Sequence, residues 1–130
     1  MRLEQNATDG DNEVVLEIKS GFKGLDRLSV VAPDGRTVFE LTCPHAILGL
    51  RQFVIESPEP KDRAAVQKAF PAGTYVVRGH TVDGTELEST AALGHELPGT
   101  VGIVHPAKDA EDVPVEDLVI DVAEEFQGVV

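Results

Sequence analysis

Residues 70–97 constrain the fold more than any other part of the chain. Phe70-Pro71-Ala72-Gly73 closes one segment, Thr74 to Val82 alternates, Asp83-Gly84 is a turn, and Glu86 to Leu97 alternates again. Strand side chains point to opposite faces with a period of two, so this pattern predicts a β-hairpin. Tyr75, Val77 and Thr81 share a face with Gly79, and Leu87, Ser89, Ala91 and Leu93 share one on the return strand. A two-residue Asp83-Gly84 loop would put those rows on opposite faces, because a one-residue slip flips every side chain. The loop therefore has an odd count. Asp83-Gly84-Thr85 pairs Tyr75 with Leu93 and Val77 with Ala91, and sets His80 opposite Glu88 on the outer face. Tyr75 is expected inward, with its hydroxyl reaching nearby backbone.

The preceding residues repeat this rhythm. Residues 1–12 are polar, with Thr8-Asp9-Gly10-Asp11-Asn12 a turn by composition. Val14 to Lys19 alternates, with Val14, Leu16 and Ile18 on one face and Val15, Glu17 and Lys19 on the other. Ser20-Gly21-Phe22-Lys23-Gly24 breaks that strand. Leu25 to Ala32 follows with Leu28 and Val30 inward, then the turn Pro33-Asp34-Gly35-Arg36. Thr37 to Thr42 returns with Phe39 and Leu41 inward, and Leu50 to Glu56 is a short strand carrying Phe53 and Ile55. One segment departs from the period of two. The decamer Lys61 to Phe70 is rich in Ala and Lys and puts Val66, Ala69 and Phe70 on one helical face. It predicts a short helix over about residues 59–69, capped by Ser57 and ended by Pro71.

These elements make an all-β fold, an immunoglobulin/fibronectin-like antiparallel β-sandwich with one short helix. Eight prolines and twelve glycines beside 42% hydrophobic residues suit a turn-rich globular chain rather than a disordered one. The pattern changes after Leu97-Pro98-Gly99, so residues 1–98 form the sandwich and residues 99–130 an acidic C-terminal segment. In that segment Val101 to Val104 and Val113 to Val122 are possible strands, and residues 109–125 hold eight acids and no base. Val113, Val115, Leu118, Ile120 and Val122 are too apolar for a free tail. Residues 101–122 are expected to pair with the sandwich or with a second copy of the chain, and Glu124 to Val130 to fray.

Charge narrows the partners. The formal net charge is −12, from 23 acids against 11 bases. Such a surface repels nucleic acid and anionic membranes, so neither nucleic acid binding nor membrane insertion is expected. A protein partner of unstated identity is expected instead, with homo-oligomers through the C-terminal segment as a further option. Cys43 is the only cysteine, which excludes an intrachain disulfide. Met1-Arg2-Leu3-Glu4-Gln5-Asn6 lacks a hydrophobic signal segment, so either the protein is cytoplasmic or the chain begins near a mature N-terminus.

Each chemical candidate has a bland competitor. Asp9, Asp11 and Glu13 put oxygen donors at alternating positions beside Gly10, as a hard cation requires. The EF-hand pattern fails, because Gln5, Ala7 and Leu16 fall at its ligand positions, and a solvated turn outweighs the looser site. Cys43-Pro44-His45 invites zinc, but no second pair of ligands exists at short spacing. His80 is read as an exposed cross-strand partner of Glu88. Ser20, Ser29, Ser57 and Ser89 lack a nucleophile-elbow pattern. A chain without Trp and with one inward Tyr is a poor stacking platform for sugars.

Several runs resemble a known group. Asn6-Ala7-Thr8-Asp9-Gly10-Asp11, Ala32-Pro33-Asp34-Gly35-Arg36, Gly49-Leu50 through Phe53 to Pro60, Phe70-Pro71-Ala72-Gly73-Thr74-Tyr75 and Leu93-Gly94-His95-Glu96-Leu97-Pro98 are similar to bacterial fibronectin type III domain-containing proteins of unknown function. The likeness covers residues 6–98. Members begin with a signal peptide, carry an immunoglobulin-like module and continue into a fibronectin type III domain. The resemblance implies a periplasmic or extracellular location, and beyond Pro98 the opening of a truncated fibronectin type III domain. Val122 stands where that domain would place its core Trp.

The expected function is a non-enzymatic binding or accessory module of an exported bacterial protein. No catalytic, cofactor-binding or metal-ligating residue is expected, and no cofactor. The alternative is a small metal-binding protein or hydrolase-like enzyme using Asp9, Asp11 and Glu13, or Cys43 and His45.

Overall fold

Among the described residues nine strands and one helix form. They are β1 (Arg2–Gln5), β2 (Asn12–Lys19), β3 (Leu25–Val31), β4 (Thr37–Thr42), β5 (Gln52–Glu56), α1 (Arg63–Ala69), β6 (Gly73–Thr81), β7 (Glu86–Leu93), β8 (Val101–His105) and β9 (Asp121–Glu124). The structure is a computed structural model that describes residues 1–6, 8–45, 47–99, 101–107, 109–113 and 121–124. It contains two compact units, Met1–Glu96 and Leu97–Val130.

The first unit is an antiparallel sandwich of a three-stranded sheet ordered β1-β2-β5 and a four-stranded sheet ordered β4-β3-β6-β7. Alternation puts the core where the sequence predicts it. Val14, Leu16 and Ile18 of β2, Leu28 and Val30 of β3, and Tyr75 and Leu93 of the hairpin are all buried. Burial of such side chains stabilises by about 1.5–3 kcal/mol each relative to exposure. Tyr75 is fully buried, and its hydroxyl donates to the Pro71 carbonyl at 2.9 Å. The start of β6 is thereby tied to the end of the helix segment.

The hairpin loop has the expected odd count but a different position. Thr81 N–H donates to Thr85 O and Gly84 N–H donates to Thr81 O, both at 2.9 Å, so the loop is Val82-Asp83-Gly84. Gly84 adopts φ +92°, the left-handed third residue that such loops use. Tyr75 consequently pairs with Ala91, Val77 with Ser89 and His80 with Glu86. Both registers keep every side chain on its face. They differ in cross-strand partners and in the bonds that close the turn.

The helix is shorter than predicted and capped elsewhere. It begins at Arg63, and the Asp62 carboxylate accepts from the N–H groups of Ala64 and Ala65 at 3.0 and 3.3 Å. Pro60 disfavours a helical Glu59, and its carbonyl already accepts the Asn12 N–H at 3.2 Å. Ser57 instead accepts from Val14 N–H at 2.9 Å. Asp62→Ala should therefore lower stability by about 1 kcal/mol, while Asp62→Asn stays near wild type. Paired urea melts check both.

Two further features depart from the sequence reading. β1 forms from a polar tetrapeptide whose Leu3 is buried opposite Val14. Val15, on the face assigned to solvent, is 2% exposed, and α1 packs against β2 with Val66 as its buried residue. Leu50 lies just outside β5 and forms a single bridge to Leu25.

In the second unit β8 and β9 pair antiparallel. Glu124, expected to fray, belongs to β9. Residues 114–120 and 125–130, including the centre of the expected Val113 to Val122 strand, lie outside the described residues.

Candidate functional site

Successive antiparallel strands send the β2–β3, β4–β5 and β6–β7 loops to one end of the sandwich. The 6–11 turn, the Pro33–Arg36 turn and α1 lie at the other. Close backbone contact joins the three loops. Gly24 sits at φ +73°, and a Cβ there would stand 2.9 Å from the Gly49 carbonyl carbon. A Cβ on Gly49 would meet Val82 Cγ2 at 3.0 Å. Val82 N–H donates to Gly24 O at 3.3 Å, Leu25 and Leu50 exchange backbone bonds at 2.9 and 2.7 Å, and Ser20 Oγ donates to Leu50 O at 2.7 Å. The Lys23 ammonium pairs with the Asp83 carboxylate. That contact, followed by the Thr81 hydroxyl, holds the Asp83 pKa down to about 2. Asp83 is charged at any ordinary pH.

The scaffold presents large apolar side chains to water. Phe22 is 88% exposed, Ile47 91% and Leu48 70%. The Arg51 guanidinium lies over the Phe22 ring, 5.4 Å from its centroid, a cation–π arrangement. Among the described residues Arg51 has no carboxylate partner. Sequence reasoning treated 20–24 only as a breaker and assigned Ile47 and Leu48 no role. The available signal was bulky apolar residues in Gly-flanked turns, where strands would have been expected to bury them.

Cys43 and His45 lie in the β4–β5 loop. Cys43 is buried and its N–H donates to Asp26 O at 2.6 Å, while its Sγ is 3.9 Å from the His45 carbonyl and the His45 side chain is exposed. Asp9, Asp11 and Glu13 stand at the opposite end, so these two candidate sets do not converge. The acidic turn is organised by local bonds, with Asn6 Oδ1 accepting from Thr8 N–H at 2.9 Å and Asp9 Oδ1 from Asp11 N–H at 3.4 Å. Among the described residues Asp11 Oδ1 and Glu13 Oε2 are buried without hydrogen-bond partners. Burial first, then Glu56, Glu59 and Glu4, pushes the Glu13 carboxyl above its ordinary range. Among the described residues no group of three or more His, Cys, Asp or Glu side chains is arranged to hold a metal ion.

The histidine expected in solvent has a different partner. β3 carries a bulge between Leu25 and Arg27. The carboxylate of the bulged residue Asp26 accepts from His80 Nδ1–H at 2.6 Å, with 21% of the His80 side chain exposed. Glu88, assigned to His80, pairs with Arg78 at 3.0 Å across the strands. Ser29 lines a shallow cleft of about 220 Å³ with Arg27, Arg78, His80, Glu40 and Glu86. Among the described residues no hydrogen bond joins Ser29 to His80, so a Ser–His–Asp relay is not assembled. His95 Nε2 lies 2.8 Å from the Phe70 carbonyl, a tie between the helix end and the segment after β7.

No family model, no curated protein and no solved structure matches this chain.

Proposed function

We propose that this chain is a non-enzymatic binding module, the immunoglobulin-like part of an exported bacterial protein of the fibronectin type III-containing kind. One observation carries the binding reading. Three large apolar side chains project from loops that glycine contacts and backbone hydrogen bonds hold in place. Exposed apolar clusters on a rigid frame are what binding surfaces are built from. Self-association is part of the proposal. Among the described residues the second unit has two strands, and a two-stranded hairpin is marginal alone in water, which favours a second copy as its support.

A random peptide display selection against the full chain, run beside Phe22→Ser/Ile47→Ser/Leu48→Ser, tests the binding reading. Enrichment on the wild type that disappears on the triple variant is expected. Equal enrichment on both, or none on either, would remove the loop end as the site. Native mass spectrometry tests the competing metal chemistry. The mass expected is 13.9 kDa or an integer multiple, with chelator leaving the thermal melt unchanged. Stoichiometric zinc or calcium in the native protein would overturn the proposal.

A further inference from the structure

The loop end differs in charge from the chain that carries it. Its three loops, residues 20–24, 43–51 and 82–84, hold Lys23, Arg51 and Asp83 as their only charged residues, in a protein of net charge −12. The acidic turn lies a strand length away. The eight residues of β2 span about 26 Å, roughly three Debye lengths at physiological salt. A ligand at the loop end therefore meets the local charges, and the distant carboxylates are screened.

Those local charges are not equivalent. Lys23 and Asp83 satisfy each other. Arg51 is exposed, has no carboxylate partner among the described residues, and its guanidinium carbon lies over the Phe22 ring, 5.4 Å from the centroid. A cation–π contact uses no N–H hydrogen bond, so the guanidinium donors that grip a carboxylate with two parallel hydrogen bonds are not spent on it. The same end of the sandwich carries exposed Phe22, and the loop that carries Arg51 also carries exposed Ile47 and Leu48, which favour an apolar ligand.

We propose that the loop end recognises an apolar peptide segment bearing a carboxylate, with Phe22, Ile47 and Leu48 as apolar anchors and Arg51 as the carboxylate's partner. This rests on the binding reading above and adds the chemistry of the occupant. An anionic bilayer is the weaker fit, because lipid recognition draws on clusters of about four to eight basic residues and a single unpaired arginine stands here. A second copy is the weaker fit as well, because two identical ends would set Arg51 against Arg51 with no unengaged carboxylate to meet it.

Three labelled dodecapeptides alternating leucine with aspartate, lysine or serine test the proposal by amide shift mapping and titration on the full chain. The aspartate peptide is expected to bind at least about ten-fold more tightly than the lysine peptide, with shifts at residues 20–24 and 47–51. Arg51→Glu should reverse that order without altering the fold, because the side chain is exposed. Equal affinity for all three peptides, no binding of any, or shifts confined to other residues would overturn it. So would binding only to phosphatidylcholine–phosphatidylserine vesicles, or a dimer by sedimentation that Phe22→Ser abolishes. If the display selection yields binders at this end that lack carboxylates, the binding reading stands and the charge assignment falls.

Discussion

Tyr75→Ala is expected to lower the free energy of unfolding by about 4 kcal/mol, within the range for truncating a buried large aromatic residue. Tyr75 is fully buried on the inner face of β6, opposite Ala91, so its removal leaves a void lined by both sheets. Its hydroxyl also closes the segment after α1 by donating to Pro71 O at 2.9 Å. Tyr75→Phe separates the two effects. It keeps the ring and removes the bond, and the loss should be about 1 kcal/mol. Guanidinium denaturation of the three proteins, with unchanged slopes, gives the comparison directly. A loss below about 1 kcal/mol for Tyr75→Ala would mean that the site collapses or that Tyr75 is not a core residue.

Asn12→Asp should be comparably damaging, and its damage should depend on pH. Asn12 is 1% exposed. Its side-chain amide N–H₂ faces the carbonyls of Gly10, Lys61 and Pro60 at 3.0, 3.3 and 3.4 Å, and its Oδ1 accepts from Gln5 Nε2 at 3.2 Å. The side chain thus joins the 6–11 turn to the segment that leads into α1. Asn12→Ala leaves those acceptors unsatisfied, with an expected loss of about 2–3 kcal/mol. Asn12→Asp is worse, because an ionised carboxylate donates nothing and would face three carbonyl oxygens while buried. Burial raises the folded-state pKa of the introduced acid, so the folded state binds more protons than the unfolded one. Stability of the variant should then fall as pH rises through the carboxylate range and recover on acidification. Melts between pH 4 and 8 test this against the flat difference expected of Asn12→Ala.

The acidic turn and the loop end show why chemistry was harder to read than fold. Asp9, Asp11 and Glu13 attracted notice because oxygen donors at alternating positions are visible in one dimension. In the fold Asp9 and Asp11 belong to a turn bonded to its own backbone, and Glu13 is a β2 residue set among other carboxylates. Asp26 attracted none, because a bulge is visible only once β3 has a partner, and that bulge directs it to His80, 54 residues away in sequence. Phe22, Ile47 and Leu48 read as ordinary apolar residues until the fold places them in loops where their side chains are exposed.

By itself the sequence determined what depends on neighbours in the chain. The period of two in 74–82 and 86–93, the Pro-Asp-Gly turn at 33–35, and an inward Tyr at the start of a strand are local facts. Backbone geometry and turn chemistry act over a few residues. The all-β class followed from them, and so did the buried faces of β2 and β3 with Tyr75 and Leu93 of the hairpin, whereas Phe39, Leu41, Phe53 and Ile55 are only half-buried and Leu87 is exposed. Tertiary structure decided the rest. α1 starts at Arg63, where Asp62 caps it, and Asn12, 48 residues from Pro60 in sequence, uses the Pro60 carbonyl. Val15 is buried on the face the alternation assigns to solvent, and β1 exists although only Leu3 in it is apolar, because β2 offers a sheet edge. The hairpin register moved by two because both choices bury the same face, so cross-strand partners and the bonds closing Val82-Asp83-Gly84 distinguish them. Each of these outcomes is a contact between residues far apart in the chain, whose free energy exists only after the fold has brought them together.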